Sequence, residues 1–428
     1  MLLAKKIKLE VSNQDAATLE FMQGKCRGLY NWLVMRLREG ERWNFAEAKR
    51  SLQESKQHDP ELKQVYGKLL AAVYYRLDGA MQAFFRRVAN GEEPGFPRVR
   101  PRHNFFTLCY PACYLKLVGK TLILPTGGGG KHGPKKYPNI VATLTEVPPP
   151  GTRSVAISRD ARGNYYASFS HKEQEEKQQA GQVVAFDLGI KTLATGVNEQ
   201  GRVYTIGGFK GHQWYNKQLD KLRRKRAQCK KKSRRYIHLS KVYKRVSEKK
   251  RNKKQDCLHK ASHLIAHTLV ERTVVVGDLS QRQMVTKEHV ARNKHLNRAV
   301  YNDWGLYAFI QMLTYKAELA GITVKITEES YTSKASFLDR DPLPVWRPDD
   351  DTKYTFSGKR VERGLYRASN GRYINADING SYNIIRKVAP DAFGSEGVEG
   401  GKGVLASLVV HPVRVVIPRT KPKKASDH

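Results

Sequence analysis

The stretch Val183-Val184-Ala185-Phe186-Asp187-Leu188-Gly189 is an apolar run closed by a carboxylate, with a glycine two residues on. A short apolar run bounded by turn residues reads as a strand buried on both faces. A second such run, Thr273-Val274-Val275-Val276, ends in Gly277, and Asp377 opens the helix-like stretch Asp377-Ile378-Asn379-Gly380-Ser381-Tyr382-Asn383-Ile384-Ile385. Two carboxylates at the ends of buried elements, with glycine where a third would be useful, read as a metal-dependent phosphodiester-cleaving site that is either rearranged or broken.

The elements around that run set the fold class. Thr192–Val197 and Arg202–Ile206 read as strands joined by the turn Asn198-Glu199-Gln200-Gly201. A basic helical segment from about 217 to 267 follows, then strand 273–276, helix 304–319, strand 322–326 and a helix from 377. Three antiparallel strands, then helix, strand, helix, strand, helix is the element order of an RNase H-like fold, a mixed sheet covered by helices. Upstream, Leu19, Met22, Cys26, Tyr30, Leu33 and Leu37 have helical spacing, as do Val65, Leu69, Val73, Leu77, Met81 and Phe84. Short alternating segments from about 98 to 171 make a β-rich region. Gly127-Gly128-Gly129-Gly130-Lys131 lacks the Gly-Lys-Ser/Thr ending of a nucleotide loop and reads as a flexible hairpin tip. The expected class is therefore α/β plus β.

The chain has 428 residues, enough for two or three domains, with 77 Lys and Arg against 40 Asp and Glu, a formal net charge of +37. Such an excess predicts a polyanionic partner, nucleic acid above all. No apolar run approaches the roughly 20 residues needed to span a bilayer, and the start, Met1 to Glu10, alternates like a strand instead of a signal peptide. Five widely spaced cysteines fit reduced thiols and a cytoplasmic setting. Cys109 and Cys113 offer half a metal site, but no second pair follows and structural zinc needs four N/S ligands.

Lys221-Leu222-Arg223-Arg224-Lys225-Arg226, Lys230-Lys231-Lys232 and Arg234-Arg235 are too dense for an ordinary solvated helix face, because like charges at i,i+4 repel. A phosphate backbone would offset that repulsion by counterion release. Trp214, Tyr215, Tyr236 and Tyr243 are interleaved aromatics that could stack on bases. Arg86, Arg87, Arg98, Arg100 and Arg102 are further candidates for backbone contacts.

Two-metal phosphodiester hydrolysis needs carboxylates that bridge and flank the ions. In this element order Asp187 and Asp377 would converge, although each has a plain alternative, a turn residue and a helix N-cap. Asp278 should face away from them, since consecutive strand side chains alternate. Glu328 and Glu329 end the next strand, about 10 Å from Asp187 across two strand spacings. A Glu there could lean over the space left by Gly277; a solvated acid at a strand end is the other reading.

These residues resemble TnpB, the transposon-encoded RNA-guided nuclease family related to type V CRISPR effectors. The resemblance is carried by Phe186-Asp187-Leu188-Gly189-Ile190-Lys191, Asn252-Lys253-Lys254-Gln255-Asp256-Cys257-Leu258-His259-Lys260, Tyr331-Thr332-Ser333, Ile374-Asn375-Ala376-Asp377-Ile378-Asn379 and Gly95-Phe96-Pro97-Arg98-Val99-Arg100. It implies a β-barrel wedge domain (1–12 and 101–180) carrying a helical recognition region (13–100), a RuvC nuclease domain (181–388) and a basic, partly disordered tail (389–428). It implies guide RNA and target double-stranded DNA as partners, and Mg²⁺, two ions, held by Asp187, Glu329 and Asp377. Two departures stand out. The family's middle carboxylate is Gly277 here, and Glu329, three residues before Thr332-Ser333, fits the spacing of relatives in which a displaced Glu replaces it. The zinc-binding Cys pairs are missing: Ser336 and Asp339 stand at the first pair, so no zinc is expected. The 336–376 insert would then be held by Phe337, Leu338, Trp346, Tyr354 and Phe356.

The leading expectation is an RNA-guided DNA endonuclease, with guide pairing reading sequence and the protein reading heteroduplex shape and a short duplex motif. The alternative motivated by Gly277 is a nuclease-dead, guide-loaded DNA-binding repressor. A third, a strand-joining transposase, predicts binding to transposon ends without RNA.

Overall fold

The structure, a computed structural model, describes residues 1–128, 135–176, 181–189, 192–270, 272–278, 303–347, 352–362 and 364–390, and the backbone of 413–415. The chain divides into two compact units, Met1–Glu173 and Gln174–His428.

The first unit is a seven-stranded antiparallel sheet in the order β2-β6-β7-β1-β5-β4-β3. Its strands are β1 (Leu2–Glu10), β2 (Leu108–Pro111), β3 (Lys116–Val118), β4 (Thr121–Leu124), β5 (Ile140–Leu144), β6 (Ser154–Arg159) and β7 (Tyr165–Lys172). Helices α1 (Asn13–Arg38), α2 (Phe45–Arg50), α3 (Leu52–His58) and α4 (Gly67–Ala89) lie between β1 and β2 in the chain. Ser12 caps α1 by accepting from the Asp15 amide. Met22, Tyr30, Leu69 and Leu77 of the helices share one core with Ile7, Leu122, Ile157 and Phe169 of the strands, so helices and strands fold as one body. The glycine run after β4 behaves differently from a free hairpin tip at its start. The Gly127 and Gly128 amides donate to the Gln64 and Lys63 carbonyls, each at 3.0 Å, and a Cβ at 127 would overlap the backbone of Gln64 and Val65. Gly127 is therefore a close-approach residue, which its sequence neighbours do not announce. Residues 129–134 of that tip lie outside the described residues.

The second unit holds a six-stranded sheet in the order β12-β11-β8-β9-β10-β16. These strands are β8 (Val183–Leu188), β9 (Thr192–Asn198), β10 (Val203–Gly207), β11 (Thr273–Asp278), β12 (Thr323–Glu328) and β16 (Val413–Val415). Strands β8, β11 and β12 are parallel, β9 is antiparallel to both β8 and β10, and β16 joins β10 in parallel. The mixed α/β architecture and strand order follow the sequence expectation. The sixth strand does not: it comes from the segment expected to be a tail, most of which lies outside the described residues.

Side chains alternate across this sheet and build two layers. On one face Val184, Phe186, Val274 and Val276 pack with α6 (Arg234–Leu264) and α7 (Leu306–Leu319), through Leu258, Phe309 and Leu313. On the other, Val183, Ala185 and Val275 pack with α8 (Ala376–Val388) through Ile378, Tyr382 and Ile385. Each such buried apolar side chain contributes about 1.5–3 kcal/mol. Gly196 faces Phe186 in the register, and any Cβ there would collide with the Phe186 ring. Helix α5 (His212–Ala227) turns back onto α6 through a loop containing Lys232 in the left-handed region (φ 67°). A small antiparallel sheet, β13 (Lys359–Glu362), β14 (Leu365–Arg367) and β15 (Tyr373–Asn375), leads into α8.

Candidate nuclease site and nucleic-acid interface

The parity of the strands decides which side chains meet. Val183 and Ala185 face α8, so Asp187, two residues on, faces it as well. Val275 shares that face, which places Gly277 on it and turns Asp278 away, and Asp278 is exposed. In the parallel ladder Gly277 is opposite Thr327. Glu329 has the parity of Thr327 and returns to the same face just beyond the strand end. Its carboxylate lies in the volume that a side chain at 277 would occupy, and a Cβ added at Gly277 would overlap it. Glycine is therefore a steric requirement of this arrangement.

Helix α8 brings the third carboxylate. Asn375 is its N-cap, accepting from the amides of Asp377 (2.9 Å) and Ile378 (3.3 Å). The N-cap alternative considered for Asp377 is thus filled by its neighbour. Asp377 sits in the first turn, where the helix dipole favours a negative charge. One turn on, Gly380 lets the helix approach β8: a Cβ there would stand 3.0 Å from Asp187 Oδ2. Ser381 Oγ donates to the Thr195 carbonyl at 2.8 Å, and Thr195 is the ladder partner of Asp187, so α8 is pinned to the sheet at the level of the site.

Two buried asparagines join α8 to the loop bearing Glu329. Asn383 Nδ2 donates to the carbonyls of Thr332 (2.9 Å) and Ala335 (2.8 Å). Asn379 donates to the Ala335 carbonyl and accepts from the Phe337 amide. Thr332 in turn donates from its hydroxyl to the Glu329 carbonyl at 2.8 Å. Lys387 pairs with Glu328 at 2.6 Å, which takes that acid and leaves Glu329 for the site. The sequence reading missed these positioning groups. Their signal was the polar alternation 379, 381, 383 inside a helix buried all round.

The electrostatics are those of an acidic cluster without enough counter-charge. Burial, then Glu329 and Asp377, push the Asp187 carboxyl well above its ordinary range, with Arg360 opposing. Burial, then Asp278 and Glu328, push Glu329 up to about 7, with Lys387 opposing. Glu329 acts on Asp187 and not the reverse, as befits adjacent acids of which one ionises first and meets its neighbour still protonated. Glu329 Oε1 is buried without a hydrogen-bond partner among the described residues. A divalent cation supplies what these carboxylates lack, and oxygen donors suit Mg²⁺. Among the described residues no three His, Cys, Asp or Glu side chains are already arranged around a common point. Mg²⁺ keeps several waters and is bound through few carboxylates, so a loosely gathered acidic set fits it.

The insert is organised partly as expected. Phe337 stacks on Tyr382 (4.2 Å, 10°), and Tyr354 and Phe356 pack on Tyr331. Trp346, expected to help hold it, is 48% exposed. Two aspartates contribute instead. Buried Asp341 accepts from the Ser336 amide (2.7 Å), the Ser357 amide and the Ser357 hydroxyl (2.6 Å). Asp339 accepts from the Ser369 amide (2.9 Å) and hydroxyl (2.5 Å), and these bonds hold its carboxyl below its ordinary value against the opposing effect of burial.

Arg86, Arg87, Arg98, Arg100, Arg102, Arg223, Arg224, Lys225, Lys230, Lys231, Lys232, Arg234 and Arg235 are exposed, whereas Arg226 is half-buried over the rings of Tyr243 (5.0 Å) and Tyr236 (5.8 Å). Arg87 is paired with Glu92. Of the aromatics proposed to stack on bases, Tyr215 is buried in the hairpin and Trp214 is 58% exposed.

A family model described as OrfB_IS605, probable transposase, matches residues 166–288, and one described as Cas12f1-like, TNB domain, matches 307–384. A solved Cas12f1–sgRNA–target DNA complex resembles this fold with a TM-score of 0.54 at 11% identity, over 86% of this chain and 82% of that one. CasPhi-2 (Cas12j) bound to crRNA reaches 0.41 at 10% identity, over 90% of this chain and 98% of that one. No curated protein matches the sequence. The fold is thus of the class seen in Cas12 effectors. The chain belongs to a TnpB-like family related to the type V effectors.

Proposed function

We propose that this protein is an RNA-guided DNA endonuclease whose RNase H-like (RuvC) domain, about residues 181–388, cuts DNA with Mg²⁺ held by Asp187, Glu329 and Asp377. In this reading the first unit supplies a wedge domain with a helical recognition insertion, and guide RNA and target DNA are the partners. The observation that carries it is the Glu329 carboxylate, buried, unpartnered and lodged in the space Gly277 leaves beside Asp187. Bound Mg²⁺ would supply a water of lowered pKa and charge stabilisation for the leaving oxygen. The chain's own task is to keep three carboxylates deprotonated and aimed, with α8 pinned through Ser381, Asn379 and Asn383. The basic hairpin α5–α6 would track phosphates without reading sequence.

The test is cleavage of a plasmid matching the copurifying guide. Wild type with Mg²⁺ should cut it, and Glu329→Ala should bind guide and target but leave the plasmid intact. Equal cutting by both would remove Glu329 from the site. Guide-dependent binding without cutting by the wild type would instead establish the repressor reading.

A further inference from the structure

On the face of the sheet away from the carboxylates, a cavity of about 360 Å³ opens beside the end of β8. Its floor includes Gly189, two residues beyond Asp187, and Gly208; its sides are Phe209 and Trp304, and its rim carries Lys210 and Lys254. The volume suits one nucleotide. Helix α5 begins at this cavity with His212, and its N-cap is Gly211, which provides no side-chain cap. The first amides of α5 therefore add a positive dipole end to the two lysines.

The charge balance at the cavity favours an anion. The only carboxylate lining it, Asp303, is buried and already engaged: Lys250 pairs with Oδ1 and Asn216 donates to Oδ2 at 2.8 Å. Lys250, Lys254 and Lys210 thus stand against a single acid. His212 Nδ1 is buried without a hydrogen-bond partner among the described residues, 3.8 Å from Asp303 Oδ1. Burial holds its imidazole neutral, with a pKa lowered to about 4, so it can bond a ligand without adding charge. Basic groups beside aromatic rings are how single strands are held, with phosphate on the cations and a base against a ring.

We propose that this cavity is a nucleotide-binding site for the single strand that enters the nuclease centre, seating one unpaired nucleotide just past the bond to be cut. The proposal rests on the endonuclease reading for its strand, but not for its chemistry of recognition. Two residues of extended chain separate Gly189 from Asp187, about 7 Å, so a strand crossing the sheet end would reach both. The cavity would then fix which phosphate lies over the carboxylates.

The test uses full-length, guide-loaded protein carrying Asp187→Ala, in EDTA, so that cleavage plays no part. A short oligothymidylate with one 5-iododeoxyuridine is photocrosslinked and the adducts are mapped by mass spectrometry. Crosslinks should fall on Phe209 or Trp304, and Lys254→Met with Lys210→Gln should reduce them at least tenfold. Lys217→Gln with Lys221→Gln, which removes the same charge from the exposed part of α5, should leave their yield within twofold. Crosslinks confined to other residues, or equal losses from both double variants, would overturn the site while leaving the plasmid test of Glu329 untouched.

Discussion

Replacing Gly277 by alanine should make the protein more stable and nearly inactive at once. The new methyl would fall inside the Glu329 carboxylate, so that side chain must swing out to water. Its raised pKa, from 4.5 to about 7, corresponds to about 3 kcal/mol of disfavoured ionisation above pH 7, which is recovered once it leaves. Glycine to alanine within an ordered strand adds about 0.5–1 kcal/mol. The sign follows from proton binding. The folded state holds the Glu329 proton to higher pH than the unfolded state, so the wild-type penalty is absent below pH 4.5, grows to about pH 7 and is full above. The stabilisation should therefore be about 3 kcal/mol at pH 8 and under about 1 kcal/mol at pH 4.5. At roughly 2–4 °C per kcal/mol for a unit of this size, that is a rise of about 6–12 °C at pH 8 in metal-free buffer. Guide-directed cleavage should fall by roughly 10²–10³-fold, the scale on which losing one aimed charged or polar group acts. Paired thermal melts and plasmid assays decide it. A variant that cuts like wild type, or that melts lower at pH 8 than wild type, would refute the placement of Glu329.

Mg²⁺ must displace the proton that Glu329 holds up to about pH 7, so its affinity should rise with pH through that range, and calorimetry in two buffers of different ionisation enthalpy should detect proton release. Asn383→Ala should remove two bonds to the Glu329 loop, lowering stability by about 1–3 kcal/mol and cleavage with it, while guide binding stays intact in a shift assay. Asp341→Ala should lower the melting temperature through loss of three bonds to Ser336 and Ser357, whereas a zinc chelator should not move it in the wild type. Neutralising Arg223 and Arg224 should weaken binding to unrelated DNA sequences alike and reduce the salt slope by up to about 2, measured by fluorescence anisotropy across a salt series.

The fold was legible where burial imposes periodicity. Val183 to Phe186 and Thr273 to Val276 could only be strands buried on two faces, and their alternation already turned Asp278 outward. The same parity, carried from Gly277 across to Thr327 and on to Glu329, located the displaced acid without coordinates. Other features depend on residues far apart in the chain. Gly127 meets Gln64 and Val65, and Asn383 meets Thr332, through backbone atoms that have no residue-type signature. The N-cap at Asn375 lay beside a more acidic candidate, and only the direction of its side chain separates the two. Tyr215 looked available because it stands in a basic run, yet helical phase turns it inward. The strand 413–415 was hidden in a segment whose composition resembles a tail.

The Asp339 and Asp341 bonds give the insert a particular vulnerability. A thiolate-bound metal module fails when metal is stripped or sulfur is oxidised. A module tied by carboxylates to serine amides and hydroxyls has neither weakness, because nothing in the tie is redox-active. It answers to acid instead: the Asp339 carboxyl ionises more readily folded than unfolded, so its contribution is present near neutrality and fades as pH falls through its lowered pKa. Because the same segment abuts the first turn of α8 through Phe337 and Asn379, acidification would slacken the ground on which Asp377 stands.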